Sequence, residues 1–210
     1  MKKSVLISIQ PYWVFLIIAK TMGWDVEKEK TVEVRKNFPK DENWDKTVKI
    51  YCSKDAKSFN RIPKEYQLAM KQFLGRVVGE FVCDDILTAK FGDYVGTFSK
   101  DAHLTAFDLI KYSNGKPLYG WSISSLIVYK NPKSLGCFYK AGLPEMEDVT
   151  EELCGYCYAT DYGNKKQVHT PNGVQSCEGR YCEDAYFAYL EDNYAFKTPP
   201  QSWCYTEEVA

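Results

Sequence analysis

Two groups of residues in this 210-residue chain have types and spacings that could do chemistry. The first is a cysteine quartet. Cys154 and Cys157 enclose two residues, and Cys177 and Cys182 enclose four. Two close thiolates from one turn and two from a second supply the four soft ligands of a tetrahedral zinc ion. Four thiolates leave no open position for a reactive water. The spacing therefore predicts a structural zinc ion held by Cys154, Cys157, Cys177 and Cys182. The alternative is that these cysteines are free or disulfide-bonded, and disulfides need an oxidising compartment. The opening Met1-Lys2-Lys3 and the apolar run from Ser4 to Ala19 resemble an export signal only in outline. Gln10-Pro11 interrupts the run, and no small-x-small cleavage site follows. His169 is a further candidate ligand, made unnecessary by four cysteines.

The second group is the segment Lys30–Lys36, KTVEVRK. Strand alternation puts Val32 and Val34 on one face and Thr31, Glu33 and Arg35 on the other. An arginine can fork onto a phosphate or a base edge. A glutamate can accept from an exocyclic amine, and Lys30 can hold a phosphate as a point charge. Lys30, Glu33, Arg35 and Lys36 are thus the candidate nucleic-acid contacts. The plainer reading is a solvated strand face on which Glu33 and Arg35 pair with neighbouring charges. Lys30, Glu33 and Glu80 are the candidate acid–base groups. Trp121 and Trp203 could stack bases, although a tryptophan in a strand-like run is more often core. No nucleophile–histidine–acid set, phosphate loop or dinucleotide fingerprint is present.

Short strands must position these groups. Ser4–Ile9 reads as a strand, ended by Gln10-Pro11, with Pro11 opening an apolar helix to Met22 that Gly23 terminates. Thr47–Ser53 and Val77–Ile86 read as strands, the second carrying Gly79 as a bulge or close-approach point. Lys64–Leu74 and Ala102–Tyr112 read as helices. Tyr119–Lys130 includes a further strand, broken by Asn131-Pro132, and Gln201–Glu207 reads as a last strand returning to the body. Cys52 and Cys83 read as small core residues. Short strands with few helices predict an α+β chain built on a small barrel with helices at its ends. Residues 1–148 would form the barrel, 149–197 a zinc-stabilised insertion, and 198–210 the final strand and tail. A stretch as small as 149–197 needs a metal to hold its shape.

The net charge of −1 conceals an asymmetry: residues 1–148 carry 23 basic against 18 acidic side chains, and residues 149–210 carry 4 against 10. A mildly basic body is compatible with nucleic-acid contact. The apolar run near the start is too short and too broken for a membrane helix, so a cytoplasmic protein is expected.

The ordered segments SIQPYWVFLIIA, KTVEVRK, VKIYCSK, GRVVGEFVCDDI, YGWSISSLIVYKNPKSLGCF and PPQSWCYTEE resemble the ASCH domain, a PUA-like β-barrel family. The resemblance spans roughly residues 1–148 and 198–208. It implies RNA or other nucleic-acid binding. Lys30 and Arg35 match the lysine and arginine of a Gly-x-Lys-x-x-x-x-Arg-like family signature, while Gly23 lies too far upstream for its glycine. One small bacterial branch similar to the family hydrolyses N4-acetylcytidine with a lysine, a threonine and a glutamate. Its lysine falls on Lys30, but its threonine falls on Glu33. The hydroxyl nucleophile is therefore missing, and that activity is not carried over. The segment 149–197 lies outside the common core and resembles a treble-clef zinc element.

The expected function is therefore binding of RNA or a modified nucleotide in a cleft around Lys30–Arg35, without catalysis. The alternatives are a small hydrolase acting on RNA or a modified nucleoside, and a protein-docking role for the zinc segment.

Overall fold

The computed structural model describes residues 3–90, 98–144, 157–158, 167–170, 173–176 and 180–207, with backbone alone for those between 157 and 185. The frame is a parallel pair. Strand β1 (Lys3–Ile9) lies beside β3 (Trp44–Cys52), with Ile7 opposite Ile50. Parallel neighbours need a crossover, and the chain between them supplies helix α1 (Pro11–Ile18) and strand β2 (Val32–Arg35). Helix α1 is apolar nearly all round and buries Val14, Phe15, Ile17 and Ile18. Beyond it, the Trp24 N–H bonds the Ala19 carbonyl and the Gly23 N–H bonds the Lys20 carbonyl. Gly23, at φ +68°, takes the left-handed position of this Schellman turn.

After β3 come the short helices α2 (Ala56–Phe59) and α3 (Lys64–Met70), then strands β4 (Arg76–Val82) and β5 (Ile86–Ala89). Helices α4 (Lys100–Ala102) and α5 (Ala106–Ser113) follow, with strands β6 (Leu118–Ser122), β7 (Ser124–Lys133) and β8 (Tyr139–Lys140). Strands β9 (Cys157–Tyr158), β10 (Gln167–Thr170) and β11 (Gly173–Ser176) precede helix α6 (Arg180–Asn193) and strand β12 (Trp203–Glu207). The large sheet runs β7-β4-β3-β1-β12-β8, a smaller one β2-β6-β5, and a third β11-β10-β9. Strand β12 pairs antiparallel with β1, so the last strand does return to the body.

The fold is mixed α+β with a sheet-rich core, but the expected closed barrel is not found among the described residues. The large sheet ends at β7 and β8, which do not pair with each other. Two strand-like runs each turn a corner. Val77–Ile86 divides at Cys83–Asp85 into β4 and β5, and Tyr119–Lys130 divides at Ile123 into β6 and β7. Both corners lead from the large sheet to the small one, and Ser122 joins them. Its hydroxyl donates to Asp84 at 2.6 Å and accepts from the Asp85 N–H at 2.9 Å. Adjacent aspartates are poor strand formers, which places the bend. The strand expected to break at Pro132 runs on to Lys133. Strand β7 is an edge strand, where a missing N–H is tolerated. Gly79 is a close-approach point, because a Cβ there would collide with the Ile127 carbonyl beside a register shift.

The main core gathers Val5, Ile7 and Ile9 of β1, Val48 and Ile50 of β3, Phe81 of β4, the inner face of α1, and Trp121. Cys52 and Cys83 are buried in it as expected, and burial pushes their thiols up to about 12 and about 11. A second cluster under the small sheet holds Val32, Val34, Phe98, Leu109 and Leu118. Among the described residues no helix is long and apolar enough to cross a membrane.

Candidate functional site

Strand β2 separates two environments. Val32 and Val34 face the second cluster. Glu33 and Arg35 face the opposite way, toward the end of β1. Both are buried, at 6% and 8% exposure, and Lys30 is only 3% exposed. These values overturn the reading of a solvated strand face. The three side chains form one ionic group. Arg35 Nη2 lies 2.9 Å from Glu33 Oε1, and Lys30 Nζ lies 3.4 Å from Glu33 Oε2. Lys30 Nζ also donates to the carbonyls of Val32 at 2.7 Å and Ala102 at 3.0 Å. Its three N–H bonds therefore have three acceptors. Burial lowers the Lys30 pKa, opposed by the Glu33 carboxylate. Arg35 Nη2 donates to the Ser8 carbonyl at 2.7 Å, which ties β2 to β1.

This group is the floor of a cleft of about 610 Å³, within the usual range for small-molecule sites. One wall is the end of β1 with Trp13 of α1, and the other is Leu104, Asp108 and Tyr112 at and along α5. Ser53, Asp55 and Arg61 close the side around α2. Trp13 links floor to rim: Lys30 Nζ stands 5.2 Å from its ring centroid and the Arg61 guanidinium 4.9 Å. Arg61 also lies 4.0 Å over the Tyr12 ring. Among the described residues the buried side-chain polar atoms with no hydrogen bond are Arg35 Nε and Ser53 Oγ. Both belong to residues lining this cleft.

The other predicted groups fall elsewhere or play different parts. Lys36 is exposed at the edge of the site, its ammonium 4.8 Å over the Tyr112 ring. Glu80 does not line the cleft. It accepts from the Tyr129 hydroxyl at 2.7 Å and pairs with Lys49 at 3.5 Å. These partners set Glu80 apart from Lys30 and Glu33, which line the cleft together. Trp121 is fully buried and offers no face to a base. Trp203 is half-buried against it, ring centroids 5.8 Å apart. Sequence reasoning missed Arg61, Tyr112, Ser53 and Asp55, while Trp13 both packs against the main core and lines the cleft. Nothing local marks them, since they come from separate elements. The one available signal was Pro11, which starts α1 and so places Tyr12 and Trp13 in its half-buried first turn.

The zinc quartet lies outside the described residues in Cys154 and Cys177. For Cys157, at the start of β9, and Cys182, in the first turn of α6, the backbone alone is described. Among the described residues no cluster of His, Cys, Asp and Glu could hold a metal ion.

No family model matches the chain, and no curated protein matches it. Among solved structures it is similar to the ASCH protein of Zymomonas mobilis. A mutant of that protein is 13% identical over 86% of this chain and 92% of its own, at a TM-score of 0.44. The ASCH structure from the same organism not described as a mutant is 12% identical over 99% and 98%, at 0.39. At TM-scores below 0.5 these likenesses decide neither the strand arrangement nor the use of the cleft, and both rest on the geometry above. The chain's structural neighbours are ASCH proteins, the family its ordered segments resemble.

Proposed function

We propose that the cleft binds RNA or a modified nucleotide without changing it chemically. The observation that carries this reading is the coincidence of the orphan polar atoms with the cleft. Buried polar groups are nearly always hydrogen-bonded, and an unpaired one costs about 1–3 kcal/mol. Arg35 Nε is covered, so a ligand acceptor that displaces its cover would relieve that cost. Half-buried Trp13 and exposed Tyr112 offer aromatic surface beside it, as base recognition requires. The test is an anisotropy titration with mixed single-stranded RNA and DNA at low ionic strength. Salt-sensitive binding is expected, and its absence for both would end the reading.

A second reading, hydrolysis of RNA or a modified nucleoside, has one observation in its favour. Lys30 has a lowered pKa and touches a carboxylate, as a general base would. Against it, every N–H of Lys30 is already taken and Glu33 serves as counter-ion to two cations. Turnover of acetylated cytidine or single-stranded RNA, lost in Glu33→Gln in protein that remains folded, would reverse the preference.

We further propose a structural zinc ion on Cys154, Cys157, Cys177 and Cys182, holding a segment 149–197 inserted between the body and β12 and serving as a protein-docking element. Purified protein should contain one zinc per chain, and Cys154→Ser/Cys177→Ser none. One equivalent retained in the double variant would show the ligand assignment to be wrong.

A further inference from the structure

The charges around the cleft are unevenly committed, and the imbalance bears on what the ligand carries. Each acid lining the cleft already has partners within the protein. Glu33 is held by Lys30 and Arg35. Asp55 caps α2, accepting from the Ser58 N–H at 3.0 Å, and takes the Gln10 amide at 3.2 Å. Asp108 closes the capping box of α5, accepting from the Thr105 N–H at 3.1 Å and its hydroxyl at 2.6 Å.

Arg61 is the exception. It is exposed and lines the same cleft as the floor triad. Its guanidinium is held over two rings, 4.0 Å from Tyr12 and 4.9 Å from Trp13. Among the described residues that guanidinium has no hydrogen bond and no salt bridge. Its field does reach Asp108, whose carboxyl is held low first by the Thr105 hydroxyl and only to a lesser degree by Arg61. Contact with the two rings restrains the guanidinium while its N–H groups keep no protein partner among the described residues. A guanidinium fork matches a phosphate bidentately.

We propose that Arg61 is the phosphate-contacting residue of the cleft. Its ligand is then a phosphate-bearing nucleotide, free or within a single strand, and not an unphosphorylated nucleoside. This rests on the nucleotide reading above and adds the part of the ligand that decides affinity.

The test is calorimetric titration of the full chain at low ionic strength. The probes are the four ribonucleosides, their 3′- and 5′-monophosphates, and a mixed-sequence hexaribonucleotide lacking terminal phosphates. At least one monophosphate or the hexamer should bind roughly ten- to a hundred-fold more tightly than the matching nucleosides. A preference for monophosphates identifies a free nucleotide as the source, and a preference for the hexamer identifies a strand. Arg61→Ala should erase the phosphate preference, read as the ratio of phosphate to nucleoside affinity within the same variant. Where the hexamer is the ligand, it should also flatten the dependence of log K on log salt by about 0.7, one single-strand phosphate contact. Arg61→Gln keeps much of the stacked side chain without the charge and should behave alike, which covers a folding defect in the alanine variant. Equal binding of nucleosides and phosphates by the wild type overturns the proposal and leaves the cleft reading standing. So does a phosphate preference that survives in folded Arg61→Ala or Arg61→Gln. No binding of any probe overturns the cleft reading, and this proposal with it.

Discussion

Glu33→Gln is expected to destabilise the protein by about 3–5 kcal/mol, the usual cost of removing one partner from a buried ion pair. For a chain of this size each kcal/mol moves the melting temperature by roughly 2–4 °C, so a fall of roughly 6–20 °C should be read by calorimetry. The reason is what the carboxylate leaves behind. Lys30 and Arg35 are both buried, and among the described residues Glu33 is the acid within 4 Å of each. Glutamine keeps the shape and one acceptor oxygen but removes the charge, leaving two cations facing each other in a cleft floor. Burial and Arg35 both already lower the Lys30 pKa, and Glu33 opposes them. Removing Glu33 removes that opposition. Lys30→Met supplies the control. It retains a neutral Glu33–Arg35 pair and leaves two carbonyls short of a donor, so it should cost less than Glu33→Gln. A loss below about 0.5 kcal/mol in Glu33→Gln, the scale of an ordinary surface change, would mean that the group is hydrated and that the cleft floor is not rigid.

The KTVEVRK alternation put Glu33 and Arg35 on the face opposite Val32 and Val34, and the structure keeps that division. What alternation does not encode is what each face meets. The polar face was read as solvated or cleft-lining with equal ease. The crossover from β1 to β3 decided it, because it lays β2 against the end of β1 and under Ala102. The Ser8 and Ala102 carbonyls that satisfy Arg35 and Lys30 are backbone atoms, and side-chain identity carries no trace of them. Arg61 was illegible for a related reason. Its partners Tyr12 and Trp13 are about fifty residues away and become a cation platform only when α2 packs beside α1. The barrel expectation failed at two places that look like uninterrupted strands. At both, a local hydrogen-bond knot around Ser122 bends the chain. Asp84-Asp85 was the legible half of that knot, and Ser122, one serine of three in the sequence GWSISS, was the illegible half.

Trp121→Ala is the other large effect expected, at about 3–5 kcal/mol for truncating a buried aromatic. Trp121 is fully buried, with Trp44 and Trp203 at ring-centroid distances of 6.4 and 5.8 Å. Its indole N–H donates to the Asn37 carbonyl at 3.3 Å, and the Trp203 indole donates to the Asn37 side chain at 2.7 Å. The consequence should extend beyond stability. In the β2–β6 register Trp121 stands directly opposite Glu33, and opposite residues of an antiparallel pair share a face. The face of the small sheet that presents Glu33 and Arg35 to the cleft is thus the face that inserts Trp121 into the main core. Glycine at 120 shows how tight the reverse side is, since a Cβ there would press on Phe98 and Val32. Strand β2 is held between these two packings, and emptying one should let it shift away from β1 and lengthen the Arg35–Ser8 hydrogen bond. Nucleotide affinity measured per folded molecule, well below the lowered melting temperature, should therefore fall together with stability. Trp121→Phe, which keeps most of the volume, should retain more of both. A destabilised Trp121→Ala that binds with wild-type affinity would show that Arg35 and Lys30 hold β2 in place without the core behind it.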